Sequence, residues 1–367
     1  MSRTRLDGTM DAGLDGASTG LAVKGPKERG SASRGGGVAG DASSRGHSER
    51  PRRAGRRNKK HQWWSGSDTA RPRGAAVVSD RRKGDIIEGF RVMSELGRGA
   101  ASVIYLAQEE KTKHIWCLKH VKKQNAKDQR FLDQAENEYK VSQQLAHHGL
   151  RSIKKIIKKG SFLKVNELYL VMELVDGISL EQTPPGTFEK ALQIFHQVAE
   201  ALAHMHQRGF VHADMKPNNI VVDDDGTARV IDLGQSCPSG AVKERIQGTP
   251  DYIAPEQVHR RPITPATDVY NLGATMYWVL TRHHIPTALA KGDSLVSSLD
   301  DEFIEKPKPA IELNPRIHPR LNELIMQCVE VQPGARPESM KFVADRLELI
   351  RGLLLAQQRA PLPADDD

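Results

Sequence analysis

The sequence is poor in cysteine, in aromatic residues and in long apolar runs. It has three cysteines among 367 residues, and they lie far apart in the chain. This number and spacing exclude a disulfide-stabilised scaffold and a structural zinc site built from paired cysteines. No apolar run approaches the length of about 18 residues that a membrane-spanning helix needs. The N-terminus also lacks the apolar core of a secretory signal, so we expect a cytoplasmic protein.

Positive charge is unevenly distributed along the chain. Residues 1–84 contain 19 Lys or Arg against 8 Asp or Glu, whereas the remainder contains 35 against 38. The same 84 residues hold 15 of the 31 glycines, and their only aromatic residues are Trp63 and Trp64. Such a segment buries too little apolar surface to offset the entropy lost on ordering. We therefore predict that residues 1–84 form a disordered basic tail.

The densest run of positive charge in this tail spans residues 52–60. One interpretation is an electrostatic arm that contacts an anionic partner such as nucleic acid, anionic lipid or a nuclear import receptor. The other is a solvated arm without a dedicated partner. Both interpretations stay open at the level of the sequence.

From residue 85 the pattern becomes that of a folded domain. A hairpin is predicted around the glycine-containing turn between Phe90 and Leu106, and further strands over 115–121 and 169–174. The stretch 131–145 lacks glycine and proline and is predicted to be a helix.

The second half of the chain has the apolar spacing of helices. Apolar residues recur three and four positions apart, which predicts helices over 188–205, 267–280, 321–328 and 340–350. Strands first and helices afterwards predict an α+β fold in two lobes. The end of the chain, residues 353–367, is predicted to be a frayed tail.

The turn at residues 97–104 lies between two predicted strands and contains two glycines. Glycines allow backbone N–H groups to approach phosphate oxygens because no Cβ is in the way. A plain hairpin turn explains the same pattern, and Ser102 stands where a full GxGxxG pattern has its third glycine. On the next strand, Lys119 lies among apolar residues, and Glu138 on the following helix could pair with it. An ordinary surface lysine is the alternative.

The most informative segment spans residues 212–222. It places Asp214, Lys216 and Asn219 on one tight loop before an apolar strand. An aspartate can accept a proton from an attacking hydroxyl, a lysine can offset charge on a transferred phosphoryl group, and an asparagine oxygen can bind Mg²⁺. The next apolar strand ends at Asp232, where a carboxylate could hold the same metal.

In this order the segments resemble the signature motifs of the protein kinase family. The resemblance spans residues from about 88 to 352. It includes the Gly-Thr-Pro to Ala-Pro-Glu stretch at 248–256, the Asp-Val-Tyr-Asn-Leu-Gly stretch at 268–273, and Arg336. Lys216 followed by proline, together with Thr249, resembles the serine/threonine branch. The compact spacing is similar to that of eukaryotic-like kinases of bacteria.

The resemblance implies a bilobal kinase domain over 85–352, with a β-rich N-lobe at 85–174 that carries one key helix, and a larger helical C-lobe at 177–352. The implied activity transfers the γ-phosphoryl group of ATP to serine or threonine hydroxyls of protein substrates, with ATP and Mg²⁺ as cofactors. The implied ATP-binding residues are Leu96, Gly97, Arg98, Gly99, Ala100, Ile104, Cys117, Lys119, Glu138, Met172, Glu173, Val175 and Val221.

The resemblance also implies individual roles. Asp214 would accept the proton of the substrate hydroxyl, Lys216 would offset charge on the γ-phosphoryl group, and Asn219 and Asp232 would hold Mg²⁺. Met172 would be the gatekeeper, and backbone groups of Glu173 and Val175 would bind the adenine edge. The remaining implied roles concern positioning. Thr249 would lie near the loop that carries Asp214, Lys216 and Asn219, called the catalytic loop below, and Asp268 would brace that loop. Glu256 and Arg336 would form a structural ion pair.

The pattern departs from the family at Ala213, where many kinases carry an arginine that pairs with a phosphate on the activation segment. Without that guanidinium we hypothesise that phosphorylation of this segment is not the main switch. Three alternatives to an active protein kinase are considered: a pseudokinase, a small-molecule kinase of the aminoglycoside or choline type, and a nucleic-acid-binding protein with a kinase attached. The presence of all six charged or amide groups of the reaction argues against a pseudokinase.

Overall fold

The structure is a computed structural model of the chain. It describes residues 64–65, 81–99, 101–161, 164–286, 301 and 304–359. Most of the predicted basic tail, including residues 52–60, and the end of the chain at 360–367 therefore lie outside the described residues. Within the described ranges, no helix combines the length and the apolar character that crossing a bilayer requires.

The first half of the described chain forms one sheet and one long helix. The helix α1 spans Gln129–Ser142 and lies between the fifth and sixth strands in the chain. The strands are β1 (Trp64–Ser65), β2 (Ile86–Ile87), β3 (Phe90–Arg98), β4 (Ser102–Glu109), β5 (Ile115–Lys122), β6 (Ile153–Ser161) and β7 (Lys164–Glu173). The sheet order is β1-β3-β4-β5-β7-β6, with β2 paired to β3. The predicted hairpin, the predicted strand at 115–121 and the predicted helix are confirmed.

Alternation of apolar residues along these strands gives the sheet two apolar faces. One face holds a cluster that includes Phe90, Tyr105 and Leu118. The other face packs against α1 through Leu132 and Met172. This second contact fixes the position of α1 against the sheet, and with it the position of any polar side chain on the inner face of the helix.

The second half is mainly helical. Its elements are β8 (Ile178–Ser179), α2 (Phe188–Gln207), β9 (Phe210–Val211), β10 (Ile220–Val222), β11 (Ala228–Val230), β12 (Cys237–Pro238), α3 (Pro255–Val258), α4 (Pro265–Thr281), α5 (Ala310–Leu313), α6 (Pro319–Cys328) and α7 (Met340–Arg359). Two small sheets in this half have the strand orders β11-β10-β8 and β12-β9. The four long helices predicted for this half are confirmed, as is the α+β architecture in two lobes.

The helix α4 lies at the centre of this lobe and is buried along most of its length. It begins after Thr264, whose backbone N–H donates to Thr267 Oγ1 at 3.2 Å while its carbonyl accepts from the N–H of Thr267 at 2.8 Å. A Cβ at Gly273 would lie 2.5 Å from the Cβ of Cys328. Glycine at this position therefore allows α4 and α6 to approach closely.

The structure differs from the predicted domain boundaries at both ends. Arg81 lies inside the predicted tail, yet its N–H donates to Tyr105 Oη at 3.1 Å and its guanidinium to Glu167 at 2.9 Å. Trp64 and Ser65, also inside the predicted tail, pair in parallel with Gly97 and Arg98. At the other end α7 continues to Arg359, beyond the boundary at 352, because Leu354 still packs against the core of the C-lobe.

Candidate active site

A cleft opens between the β3–β4 turn and the segments that follow β7 and β11. Gly99 donates its N–H to the carbonyl of Ser102 at 2.8 Å, which closes the turn above the cleft. Of the implied ATP-binding residues, eight line this cleft: Leu96, Gly99, Ile104, Cys117, Lys119, Glu173, Val175 and Val221. Apolar side chains from both lobes thus face each other across a space with Lys119 and Asp232 at one end.

The other implied ATP-binding residues are placed differently. Met172 is fully buried in the cluster between the sheet and α1 and is not among the residues that line the cleft. Its role as a gatekeeper therefore stays a prediction. Arg98 pairs its exposed guanidinium with Glu95 at 2.7 Å. Gly97 lies in β3 opposite Ile104, Glu138 does not line the cleft but contacts Lys119, which does, and Ala100 is outside the described residues. The N–H of Glu173 donates to Ser152, which leaves its carbonyl as the group that could contact an adenine.

Three charged side chains meet at the inner end of the cleft. Lys119 Nζ lies 2.6 Å from Glu138 Oε2 and 3.6 Å from Asp232 Oδ1. Burial lowers the pKa of Lys119, but the two carboxylates outweigh it and raise the pKa above its usual value. Burial likewise opposes ionisation of Asp232, yet Lys119 and the N–H of Gly234 hold its pKa well below the usual range. Lys119 and Asp232 are therefore both charged at neutral pH.

Glu138 is the most deeply buried member of this group. Its side chain is 1% exposed, and this burial raises its pKa while Lys119 opposes the shift. It lies on the face of α1 that packs on the sheet, so its carboxylate is presented directly to the lysine on β5. The pairing that the sequence suggested between residues 119 and 138 is present.

A second group of polar side chains surrounds the loop after β9. Thr249 Oγ1 donates to Asp214 Oδ1 at 2.8 Å, and Lys216 Nζ lies 3.0 Å from Asp214 Oδ2. Lys216 also donates to Thr249 Oγ1 at 2.7 Å. The three side chains form a closed triangle that fixes the orientation of the Asp214 carboxylate. Thr249 comes from a distant part of the chain, so this triangle depends on the tertiary fold.

Asn219 contacts the backbone of the catalytic loop and is one of the two residues, with Asp232, that are candidates to bind a metal. Its Nδ2 donates to the backbone carbonyl of Asp214 at 2.8 Å. Its Oδ1 is buried and has no hydrogen-bond partner within the described part of the chain. A buried oxygen without a partner is costly unless something binds it. An amide oxygen and the carboxylate of Asp232 are donors that suit Mg²⁺, so these residues fit the metal.

Asp268 braces the catalytic loop from below. Its carboxylate accepts from the backbone N–H groups of His212 and Ala213, each at 2.8 Å, and contacts His206 Nε2 at 2.8 Å. Burial opposes ionisation, but His206 and the backbone donors keep the pKa of Asp268 below its usual value. Ala213 is held at a φ of 61°, in the left-handed region, and its carbonyl accepts from Gln257 at 2.8 Å. The loop is thus pinned in a strained conformation from both sides.

Glu256 and Arg336 form a buried bidentate ion pair. The two guanidinium nitrogens lie 2.8 and 2.9 Å from the two carboxylate oxygens. Arg336 also donates to the backbone carbonyls of Ala266, Glu330 and Val331. The pair connects α3, the start of α4 and the segment before α7, and it lies outside the cleft. This geometry supports a structural role.

Several residues of the cleft were not predicted from the sequence. Phe131 and Gln134 of α1 line it, as do Leu174 and Arg151. The apolar spacing of α1 could have indicated Phe131. Arg151 follows a short loop and has no local pattern that separates it from a surface arginine.

Comparison with known proteins agrees with this geometry. Residues 90–347 match the family model of the protein kinase domain. The chain is 27% identical over 270 residues to a probable serine/threonine-protein kinase of Clostridium acetobutylicum, covering 71% of this chain and 40% of that protein. It is 28% identical to the serine/threonine-protein kinase PknA of Mycobacterium tuberculosis, covering 75% and 63%, and 27% identical to the serine/threonine-protein kinase PrkC of Bacillus subtilis, covering 70% and 41%.

The match covers less than two thirds of the length of each of these relatives. The relatives named here are bacterial proteins that carry the serine/threonine name. The resemblance to eukaryotic-like serine/threonine kinases of bacteria and the bilobal kinase fold are therefore confirmed. The family model spans more than half of the chain, so the chain belongs to the protein kinase domain family.

Proposed function

We propose that this chain is an active protein kinase that transfers the γ-phosphoryl group of ATP to serine or threonine hydroxyls of protein substrates. The observation that carries the proposal is the triangle of Asp214, Lys216 and Thr249, which occurs together with a cleft lined by Lys119 and Asp232. The relatives named above are called serine/threonine-protein kinases, which supports the same acceptor class.

In the proposed reaction the acceptor hydroxyl oxygen forms a bond to the γ-phosphorus. The bond between that phosphorus and the bridging oxygen of the ADP leaving group breaks, and the hydroxyl proton passes to the Asp214 carboxylate. Thr249 and Lys216 orient that carboxylate through contacts of 2.8 and 3.0 Å. A positioned base of this kind contributes about 10²–10⁴-fold. Holding the two reactants in line contributes a further 7–11 kcal/mol, roughly.

Two lysines would supply positive charge to the phosphates. Lys119, which contacts Glu138 and Asp232, would bind the α- and β-phosphates, and Lys216, which contacts Asp214, would offset charge on the transferred phosphoryl group. Charge in this kind of transition state is spread over the phosphoryl oxygens, so electrostatic stabilisation dominates catalysis. Leu96, Ile104, Cys117, Val175 and Val221 would enclose the adenine.

Asn219 and Asp232 are the residues that would hold Mg²⁺. The orphaned Oδ1 of Asn219 and the ionised carboxylate of Asp232 support this assignment. When bound, the metal would neutralise negative charge on the phosphate oxygens. Asp232 is fixed in place by the N–H of Gly234 at 3.0 Å, so its carboxylate is oriented by the protein itself.

Two further expectations accompany the proposal. A cytoplasmic location, expected from the sequence, stays a prediction. The anionic partner considered for the basic run at 52–60 also stays a prediction, because that run lies outside the described residues. The small-molecule alternative is disfavoured by Thr249 and by the ion pair of Glu256 with Arg336, which in the family belong to the part of the C-lobe that binds protein substrates.

The test is incubation of the full chain with Mg-ATP and generic protein acceptors, followed by mapping of the phosphorylated sites. Wild type is compared with Asp214→Asn and Asp232→Asn, and with Asp224→Asn as a matched control on an exposed turn. We expect phosphoserine or phosphothreonine with wild type and the control, and strong loss with the other two. Equal labelling by all four proteins would contradict the proposal, as would labelling of no protein acceptor by wild type.

A further inference from the structure

Arg151 is a second cation at the inner end of the cleft. Its Nη2 lies 3.8 Å from Glu138 Oε1, and the two side chains are 12% and 1% exposed. The other oxygen of the same carboxylate, Oε2, lies 2.6 Å from Lys119. Glu138 is therefore flanked by two cations, one from β5 and one from the loop between α1 and β6. Arg151 also lines the cleft itself.

The backbone of Arg151 is fixed to the other lobe. Its N–H donates to the carbonyl of Val230 at 2.9 Å, and the N–H of Val230 donates to the carbonyl of Gly149 at 2.8 Å. Val230 ends β11, and Asp232 follows two residues later. The guanidinium is thus anchored to the strand that carries Asp232, while the carboxylate that it contacts belongs to the N-lobe helix α1.

The charge balance of the cleft gives this contact its importance. Without Arg151, Lys119 would be the cation that pairs with both carboxylates, Glu138 at 2.6 Å and Asp232 at 3.6 Å. A buried carboxylate that loses its partner is strongly destabilised. When Lys119 also contacts the phosphates of ATP, a second positive charge beside Glu138 keeps the buried carboxylate partnered. Arg151 supplies that charge from a fixed point.

We propose that Arg151 is a positioning residue that holds Glu138, and with it α1, in the orientation that presents Lys119 to ATP. The inference rests on the proposed function. It also explains how α1 can be held inward in a chain that has Ala213 where a phosphate-reading arginine is common. Arg151 does not contact the reacting atoms in this role; it acts through Glu138.

The test is a double-mutant cycle between positions 151 and 138 in the full chain. The variants are Arg151→Met, Glu138→Gln and the double variant, with Arg151→Lys as the conservative replacement. Arg320→Met is the matched control, because Arg320 is exposed on α6 and distant in the chain from the cleft. Each variant is measured for kcat, for KM of ATP, and for the Kd of the fluorescent nucleotide mant-ATP with Mg²⁺, with rates normalised to the folded fraction from a thermal melt.

We expect Arg151→Met to lower kcat/KM for ATP about tenfold and to have little further effect in the Glu138→Gln background, since coupled residues show non-additive effects. Arg151→Lys should keep most of the wild-type kcat/KM for ATP, and Arg320→Met should have the same kcat/KM as wild type. Additive losses in the cycle, or wild-type behaviour of Arg151→Met, would overturn the inference.

The mant-ATP arm separates this inference from the proposed function. If wild type binds the nucleotide but transfers no phosphoryl group, the proposed function fails while the cycle in Kd still tests the coupling. If wild type transfers phosphate and the cycle shows no coupling in either kcat/KM or Kd, only the inference fails. A wild type that binds no mant-ATP overturns both.

Discussion

Asn137 of α1 donates a hydrogen bond from its side-chain amide to the backbone carbonyl of Ser236, at 2.8 Å. This contact joins the N-lobe helix to the segment that follows Asp232. The two elements also pack closely nearby, since a Cβ at Gly234 would lie 2.8 Å from Gln134 Nε2. These contacts join a side-chain amide to a backbone carbonyl and place a glycine against Gln134, so they can hold α1 inward independently of any phosphate on this segment.

The first prediction concerns phosphorylation of this segment. Ser236 is 1% exposed, and its Oγ has no hydrogen-bond partner among the described residues, so a phosphate there would require the segment to open. Ser239 is exposed, but Ala213 offers no guanidinium to read a phosphate on it. We expect Ser236→Ala and Ser239→Ala to keep initial rates within about twofold of wild type, because a twofold change corresponds to only about 0.4 kcal/mol of activation free energy. Phosphatase-treated wild type should also remain active.

The assay for this prediction measures initial rates and thermal melting for each variant. A large loss of rate at either serine, with an unchanged melting temperature, would show that the segment is switched by phosphate after all. Removal of the Ser236 hydroxyl should leave the free energy of unfolding unchanged or slightly higher, because the substitution removes the desolvation cost of a buried hydroxyl without a hydrogen-bond partner among the described residues.

The second prediction concerns the orientation of the catalytic carboxylate. Thr249→Ala removes the hydrogen bond to Asp214 Oδ1 and the acceptor for Lys216. Hydrogen bonds to charged groups contribute about 1.5–3 kcal/mol, so we expect kcat to fall by roughly ten- to a hundredfold. Thr249→Ser keeps the hydroxyl and should keep most of the rate. Thr183→Ala, at an exposed position, is the control. Equal losses for the serine and alanine variants would point to the methyl group rather than the hydrogen bond.

Much of the site could be predicted because its residues interrupt apolar patterns. Lys119 lies inside an apolar strand. Asp214, Lys216 and Asn219 lie close together in one loop that precedes a second apolar strand, so each polar residue is conspicuous in the sequence. Their order along the chain then resembles one family. Helices with regular apolar spacing, such as α2 and α7, could be placed for the same reason.

Other features depend on contacts that no local pattern records. β6 contains four lysines in nine residues, so its sequence does not predict a strand, although it pairs with β7 along its whole length. Arg151 is an arginine after a loop, and only the fold brings it to Glu138. The end of α7 also extends past its periodic segment because Leu354 finds a partner in the core. In each case tertiary packing decides what the local sequence leaves open.

The third prediction concerns the buried ion pair of Glu256 with Arg336. Arg336→Met removes the cationic partner of the buried Glu256 carboxylate, which then keeps the hydroxyl of Thr267 at 2.8 Å, and the loss of the cation costs about 3–5 kcal/mol of unfolding free energy. Arg351→Met removes one partner of an exposed pair with Glu348 and should cost about 0–1 kcal/mol. Urea denaturation of the three proteins measures the difference. The double variant Glu256→Gln with Arg336→Met should be more stable than Arg336→Met alone, and the opposite order would contradict the account.

The last prediction concerns pH and a histidine in the N-lobe sheet. His120 is completely buried, and its ring stacks on Tyr169 with centroids 4.3 Å apart. Its Nε2 lies 2.6 Å from Glu167 Oε1, close but not aligned as a hydrogen bond. Burial lowers the pKa of His120 to about 4; Glu167 opposes this shift, whereas Arg81 and Lys122 reinforce it. The imidazole is therefore neutral in the folded protein at neutral pH.

The sign of the effect follows from which state binds the proton. In the unfolded chain this histidine has its usual pKa of 6.5, so between pH 6.5 and pH 4 the unfolded state binds the proton and the folded state does not. Stability therefore falls as pH falls through this window, by roughly 3 kcal/mol at pH 4. His120→Gln should flatten the slope of unfolding free energy against pH, whereas His114→Gln, at an exposed position, should leave it unchanged. A wild-type slope that persists in His120→Gln would assign the pH dependence to other groups.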